Sequence, residues 1–550
     1  MFSAASLPKF VTAIVLGILA AQSTLYAGKA GKKPAASSPA QKSASRGPSE
    51  EERAQSDALF QGLIPVIHIQ IGGKSLEKLR NEPKEYVDVI LQEPGLEPLE
   101  KVGLKLKGSV GSFQTVDQRP GFSLNLEKYG KRKVFHGLSR FQLNNCNQDP
   151  TALHELLAGQ IARDAGVPAS RCTHALVSLN GRSLGVYVLK ESFREELLGT
   201  FFSSPNGRLY DGGFCAEIRS DMELDHGPRE TSSRLHELVE ALSEGNPEHQ
   251  LHRVRELVEV DAYLRYVALE NILAHWDGYS FSRNNYRLYE NPETGRFHFL
   301  LHGMDQTLGK PDWDLWRAPE AAVGSILWGD AEIRARYDVI LRGICEKTVL
   351  TRDWVETGGQ TCSRLLKAHA SLDPEGAKAY QPRIAEATAQ LRARIAAVTR
   401  QLQAGNPALL FSVLTPVSLS GRDWTPQLQN AEADPQTFDG KPCLRIRAQP
   451  NASGSWQLPL VLPKGVYRFE AMLRLQDVAP TRDRDGEGAG IRTLGASRLG
   501  KNGLTGTSPW ALVSWEFASE GDTQTLVAEL RADSGTLWVD RDSLKITRLK

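Results

Sequence analysis

The chain has 550 residues, 24% of them charged and 41% hydrophobic, which is too apolar for a disordered chain and long enough for about three to four domains. Lysine plus arginine (66) against aspartate plus glutamate (65) leaves a net charge of +1, so the overall balance gives no case for a nucleic-acid partner. Six cysteines at irregular spacing, with no CxxC, exclude a disulfide-stapled scaffold and argue against a zinc site.

Lys9 precedes an apolar run over residues 10–21, broken only by Thr12 and Gly17, with the small residue Ala27 beyond it. The run is shorter than the ~20 residues a membrane-spanning helix needs. Residues 1–27 therefore read as a secretory signal peptide, with an uncleaved anchor as the alternative. No later segment is long and apolar enough to span, so the mature protein is expected to be exported, as a periplasmic, cell-surface or secreted protein with no transmembrane span. Residues 28–58 are rich in Ala, Ser, Pro, Lys and Gly; such a composition buries too little surface to order, and a disordered tether is expected.

Strand signals follow at 65–71, 86–92, 102–107, 122–126 and 141–145, with a short helix capped by Ser75 after the first. Asp149-Pro150 reads as cap and first position of a helix whose face carries Leu153, Leu156, Leu157, Gln160 and Ile161. Two strands around Asn180-Gly181 form the strongest hairpin signal of the chain. Asp261 is placed as the cap of a helix carrying Leu264, Val267, Ala268, Ile272 and Leu273. A polar loop, a hairpin around Asn291-Pro292 and a largely helical stretch over 331–405 come next. Beyond Pro407, regularly spaced strand runs predict an all-β sandwich, jelly-roll-like, over 408–550. Its tryptophans (Trp424, Trp456, Trp510, Trp515, Trp538) read first as core residues and second as a platform for polysaccharide.

Two polar clusters stand among apolar neighbours: His275-Trp276-Asp277 through Asn284-Asn285, and His302-Gly303-Met304-Asp305. The hairpin between them would bring Asn285 and Asp305 to one end, giving hard oxygen ligands suited to Mg²⁺. Asp277 would then be free to accept a hydroxyl proton, an arrangement that suits phosphoryl transfer. Turn-capping aspartates are the competing reading. A binuclear hydrolase is the less favoured one, because no His cluster accompanies His275 and His302.

As a set, the motifs resemble the CotH kinase family, the spore-coat protein H group of atypical, protein-kinase-like enzymes. The stretches that carry the resemblance are Leu106-Lys107-Gly108-Ser109, Phe135-His136-Gly137-Leu138, Leu143-Asn144-Asn145 with Asp149-Pro150, Ala165-Gly166-Val167-Pro168, Leu179-Asn180-Gly181, Leu184-Gly185-Val186-Tyr187 through Glu191, Arg208-Leu209-Tyr210 and both aspartate clusters. They run in the family's order over roughly residues 60–400. The resemblance implies an α+β, two-lobed, protein-kinase-like body over 59–405 that uses ATP with Mg²⁺ or Mn²⁺ to phosphorylate hydroxyls of a protein substrate. On an exported protein, that substrate lies in the envelope or extracellular space.

By the same resemblance, Asp277 matches the catalytic aspartate, while Asn285 and Asp305 match the metal-binding positions. Glu155 matches the helix glutamate that orients a phosphate-binding lysine. Gly108 and Gly111 lie where a glycine-rich phosphate cover would sit, and Lys190-Glu191 where a hinge would meet adenine. Ser123 and Asn125 depart from the family, since many relatives carry a basic residue there; Lys105, Lys107 or Lys128 is left to supply the charge. The alternative to an enzyme is a kinase-like surface or assembly module whose sandwich binds polysaccharide or protein.

Overall fold

Alternation of apolar and polar residues in the first half of the chain generates strands that close on themselves. In a computed structural model, which describes residues 48–130, 133–229, 233–406, 413–481, 487–498, 503–521 and 523–550, these strands are β1 (Val66–Gln70), β2 (Val87–Gln92), β3 (Leu99–Lys107), β4 (Gly121–Asn125), β5 (Arg140–Asn144), β6 (Cys172–Leu179) and β7 (Arg182–Glu191). They form a closed barrel in the order β1-β2-β3-β4-β5-β7-β6. Neighbours are antiparallel except β1 and β6, whose parallel pairing from Val66↔Leu176 to Ile69↔Leu179 seals the barrel. Ile67, Leu104, Phe122, Phe141, Leu143, Tyr187 and Leu189 fill the inside, each apolar side chain contributing about 1.5–3 kcal/mol by leaving water. Between β6 and β7, Asn180 (φ 47°) and Gly181 (φ 80°) are both left-handed, as a two-residue hairpin turn of the favoured hand requires.

Three helices belong with the barrel segment: α1 (Glu50–Phe60), α2 (Gly73–Asn81) and α3 (His154–Asp164). The following segment carries α4 (Glu195–Phe201), α5 (Leu235–Leu242), α6 (Pro247–Leu257), α7 (Val260–Leu273), α8 (Tyr279–Ser282), α9 (Ala322–Trp328), α10 (Ala331–Ile344), α11 (Trp354–Ala370) and α12 (Pro374–Ala404). Within it, β8 (Arg208–Asp211), β9 (Glu223–His226), β10 (Tyr286–Glu290) and β11 (Phe297–Leu301) make a sheet ordered β11-β10-β8-β9. One face of this sheet joins the large core with α3, α7 and α10; the other buries Leu209, Tyr289 and Leu300 under Phe193, Leu197 and Phe202.

The C-terminal region is β-rich, with strands from Pro416–Ser418 to Lys545–Arg548 around a second core that includes Ile446, Phe469, Ile491, Leu530 and Val539. Seven of these strands form one hydrogen-bonded path, with Thr425–Phe438 added on Lys441–Val461 and Gly506–Ser519 on Gly465–Ala479. Trp424, Trp456 and Trp538 are buried, which makes them core residues rather than a sugar platform.

The structure departs from the sequence expectations in several places. Residues 50–58, expected as tether, are helical: Ser49 and Glu52 form a reciprocal capping box and Leu59 is buried. The expected signal peptide (1–27) and the first part of the tether (28–47) lie outside the described residues. Ser75 does not cap α2; its hydroxyl donates to Asp88, and Gly72 precedes the helix instead. The helix after Pro150 begins only at His154, although the Asp149 carboxylate still accepts from the His154 amide at 2.9 Å. Glu259, not Asp261, is the cap of α7. Among the described residues, no helix is long and apolar enough to cross a membrane, and all six cysteines are free thiols.

Helix α1 lies against the turn at Gly137, which has φ 77° and leaves no room for a side chain: a Cβ there would sit 1.8 Å from the Glu52 carbonyl oxygen. Gly137→Ala should therefore lower stability by about 2 kcal/mol or more and open residues 50–60 to limited proteolysis. An unchanged melting temperature and cleavage pattern would show that α1 is not docked on this turn.

Candidate active site

A cleft of about 740 Å³ is lined by the outer face of β3, β4, β5 and β7, by the 108–112 loop, and by the loops around β8, β10 and β11. Strand alternation decides what faces it. While Phe122, Phe141, Leu143 and Leu189 point into the barrel, Lys105, Lys107, Ser123, Gln142, Asn144 and Lys190 line the cleft.

At its inner end Lys190 Nζ donates to Glu155 on the first turn of α3, both side chains being about 2% exposed. Lys190 also donates to His302 Nδ1 at 3.1 Å. Asn144 donates its amide to Glu155 and accepts from Lys107. Burial pushes the Glu155 carboxyl up, but Lys190 and Lys107 outweigh it and hold the pKa below the usual value. Lys107 is pushed down to about 8 by burial, against the pull of Glu155.

The register Tyr286↔Leu301 places Asn285 and the 302–305 turn at the same end of the β10–β11 hairpin. Asn284 and Asn285 donate to Asp277 Oδ2 at 3.2 and 2.8 Å, leaving Oδ1 without a protein donor among the described residues. Burial raises the Asp277 pKa and these two amides oppose it. The Asn285 side-chain oxygen lies against Gly303, where a Cβ would be 2.2 Å from it. The Asp305 carboxylate accepts no hydrogen bond from the described residues, and burial together with Glu155 raises its pKa to about 6.

This donor set fits a divalent cation that arrives with its own oxygen ligands. It offers one carboxylate without a donor and one amide oxygen, and phosphates and water would complete the shell. Among the described residues no group of three or more His, Cys, Asp or Glu side chains is placed to hold a metal. His275 Nε2 lies 3.1 Å from the His302 carbonyl oxygen, so neither histidine forms the cluster a hydrolase would use.

Of the residues expected to bind the cofactor, Glu155 and Lys107 lie at the cleft and Glu191 does not line it. Glu191 faces the other side of β7, where its carboxylate pairs with Arg171 at 2.7 Å. Lys190 is likewise held by Glu155 rather than at a hinge. Lys105 and Lys128 lie over the Tyr86 ring, and Asn125 is buried, accepting from the Glu127 amide. Lys107 is thus the lysine of the three that enters the Glu155 network. The role of Lys190 had one sequence signal: a lysine closing the apolar run Val186-Tyr187-Val188-Leu189 must find a partner if the strand is buried. Gly108 (φ 105°) and Gly111 (φ 83°) shape the loop over the cleft, which Lys84 and Asn147 fasten through its carbonyls at 2.6 Å.

Residues 104–357 match the family model described as CotH kinase protein, and the resemblance to that family holds over this stretch. Inner spore coat protein H of Bacillus subtilis is 26% identical over 192 residues, covering 32% of this chain and 52% of that protein. Invasin CotH7 of Rhizopus delemar is 24% identical over 185 residues, covering 31% of each. The chain thus spans about half, or less, of the length of these relatives. Among solved structures, a family 35 carbohydrate binding module from Clostridium thermocellum is 16% identical, covering 24% of this chain and 97% of that chain at a TM-score of 0.17. That score carries no inference about binding.

Glu270, beneath the Asp277 loop, is fully buried. The Ser280 amide donates to its Oε1 at 3.3 Å, and Gly278 passes so close that a Cβ would be 2.0 Å from that oxygen. Burial raises its pKa from 4.5 to about 8. Between those values the unfolded chain has lost a proton that the folded chain keeps, so stability falls as pH rises, by about 1.4 kcal/mol per unit, and levels off above the folded pKa. Glu270→Gln should flatten this fall, and its melting temperature should gain on wild type from pH 5 to pH 8. A constant difference across that range would mean the native carboxyl is already ionised.

Proposed function

We propose that the cleft is the site of an ATP- and metal-dependent phosphotransferase acting on serine or similar hydroxyls of an envelope or extracellular protein. The observation that carries this reading is the convergence, in one cleft, of the Lys190–Glu155 pair, the amide-held Asp277 and Asp305, whose carboxylate has no donor among the described residues. ATP with Mg²⁺ or Mn²⁺ would supply the phosphoryl group and neutralise its charge. Asp305 and Asn285 would hold the metal. Glu155 fixes Lys190, and Lys107 adds a second cation for phosphate. Asp277 Oδ1 can accept the proton of the attacking hydroxyl, while Asn284 and Asn285 keep Oδ2 occupied and the carboxylate oriented. The spore-coat and invasin names of the relatives support a surface or secreted setting.

Titrating ATP into the full chain, with and without Mg²⁺ or Mn²⁺, and following thermal unfolding tests the reading. A ligand at a hundredfold excess over its dissociation constant adds about 2.7 kcal/mol. A metal-dependent rise is expected in wild type and none in Asp305→Ala. A rise retained in the variant removes Asp305 from the metal site. No rise in either protein favours a non-enzymatic surface module.

A further inference from the structure

The barrel side of the cleft carries Ser123 where a basic residue was expected, and the opposite wall supplies a cation that no motif assigns. Arg287 lies on β10, two residues after Asn285, and is paired in register with Asp211 on β8 and Leu300 on β11. Tyr289, on the same face of the strand, is covered by Phe202; Arg287, about 12% exposed, lines the cleft.

Its hydrogen bonding is incomplete. Nη1 donates to Asp211 Oδ1 at 2.9 Å and to the Tyr286 carbonyl at 3.2 Å, whereas Nε is buried with no partner among the described residues. Asp211 Oδ1 also accepts from the Gly213 amide at 2.9 Å, so the aspartate orients the guanidinium without using its remaining donors. A buried N–H left unpaired calls for an acceptor. Arg287 lines the same cleft as Lys107, Glu155, Lys190 and His302.

We propose that Arg287 is a polyphosphate-binding residue that completes, with Lys107 and Lys190, a three-cation cradle in the cleft. A planar guanidinium presents paired donors to phosphate oxygens in a way an ammonium does not. The inference rests on the reading of the cleft as a nucleotide site, and its test separates the two.

Isothermal titration of wild type, Arg287→Gln and Arg287→Lys with inorganic tripolyphosphate, ATP and adenosine provides that test, with ligand-free melting as the fold control. Arg287→Gln is expected to weaken tripolyphosphate and ATP by roughly tenfold or more and to leave adenosine unchanged, with Arg287→Lys recovering part of the loss. If Arg287→Gln fails to fold, the lysine variant carries the comparison, and wild-type affinity there overturns the proposal. Unchanged tripolyphosphate binding in Arg287→Gln overturns it as well, and loss of adenosine alone reassigns Arg287 to the base. If wild type binds tripolyphosphate through Arg287 but ATP no better, the cradle stands and the nucleotide reading falls. Binding of neither overturns both.

Discussion

The buried pair between Lys190 and Glu155 is the constraint on which the cleft depends. Each charge alone would be expelled from so dry a position, and together they persist because Asn144 and His302 complete their hydrogen bonds. The pair joins the end of β7 to the first turn of α3, and through His302 it reaches the end of β11. The turn that carries Asp305 starts there. The distance between the barrel wall and the aspartate loop is therefore set by a few charge-assisted bonds, not by apolar packing alone.

Charge in the cleft is distributed by strand alternation and by loops. The barrel contributes Lys107 and Lys190 from alternating positions, and the second sheet contributes Arg287. The acids Asp277 and Asp305 come from turns beyond α7 and β11, where the backbone is free to aim them. Against Gly278 of the Asp277 loop lies the fully buried Glu270, whose burial raises its pKa and so opposes a third negative charge there.

Much of this was legible in the sequence because it follows from local rules. The barrel strands, the Asn180-Gly181 hairpin and the meeting of Asn285 with the 302–305 turn come from period-two patterning and turn chemistry. What was not legible depended on partners distant in the chain. Residues 50–58 look unable to order until Gly137 and Arg171 are seen to receive them; Arg171 bonds Asp57 at 2.6 Å and Glu191 at 2.7 Å. Lys190 and Glu191 are adjacent in sequence and were read together, yet a strand turns them to opposite faces, and only one meets the cleft. The sequence also marked Ser123 as a missing cation, with no means of showing that Arg287 lines the same cleft.

The parallel seam of the barrel has a consequence for how the chain reaches this state. His68 on β1 meets Ser178 on β6, 110 residues later, so the first strand of the barrel is among the last to be paired along both edges. Until β6 emerges, β1 has only β2 beside it and an open edge on the other side, the kind of surface that pairs with other chains. Contacts so distant in sequence slow folding. The rate at which the barrel closes should thus be governed by this seam, and not by the helices that surround the cleft.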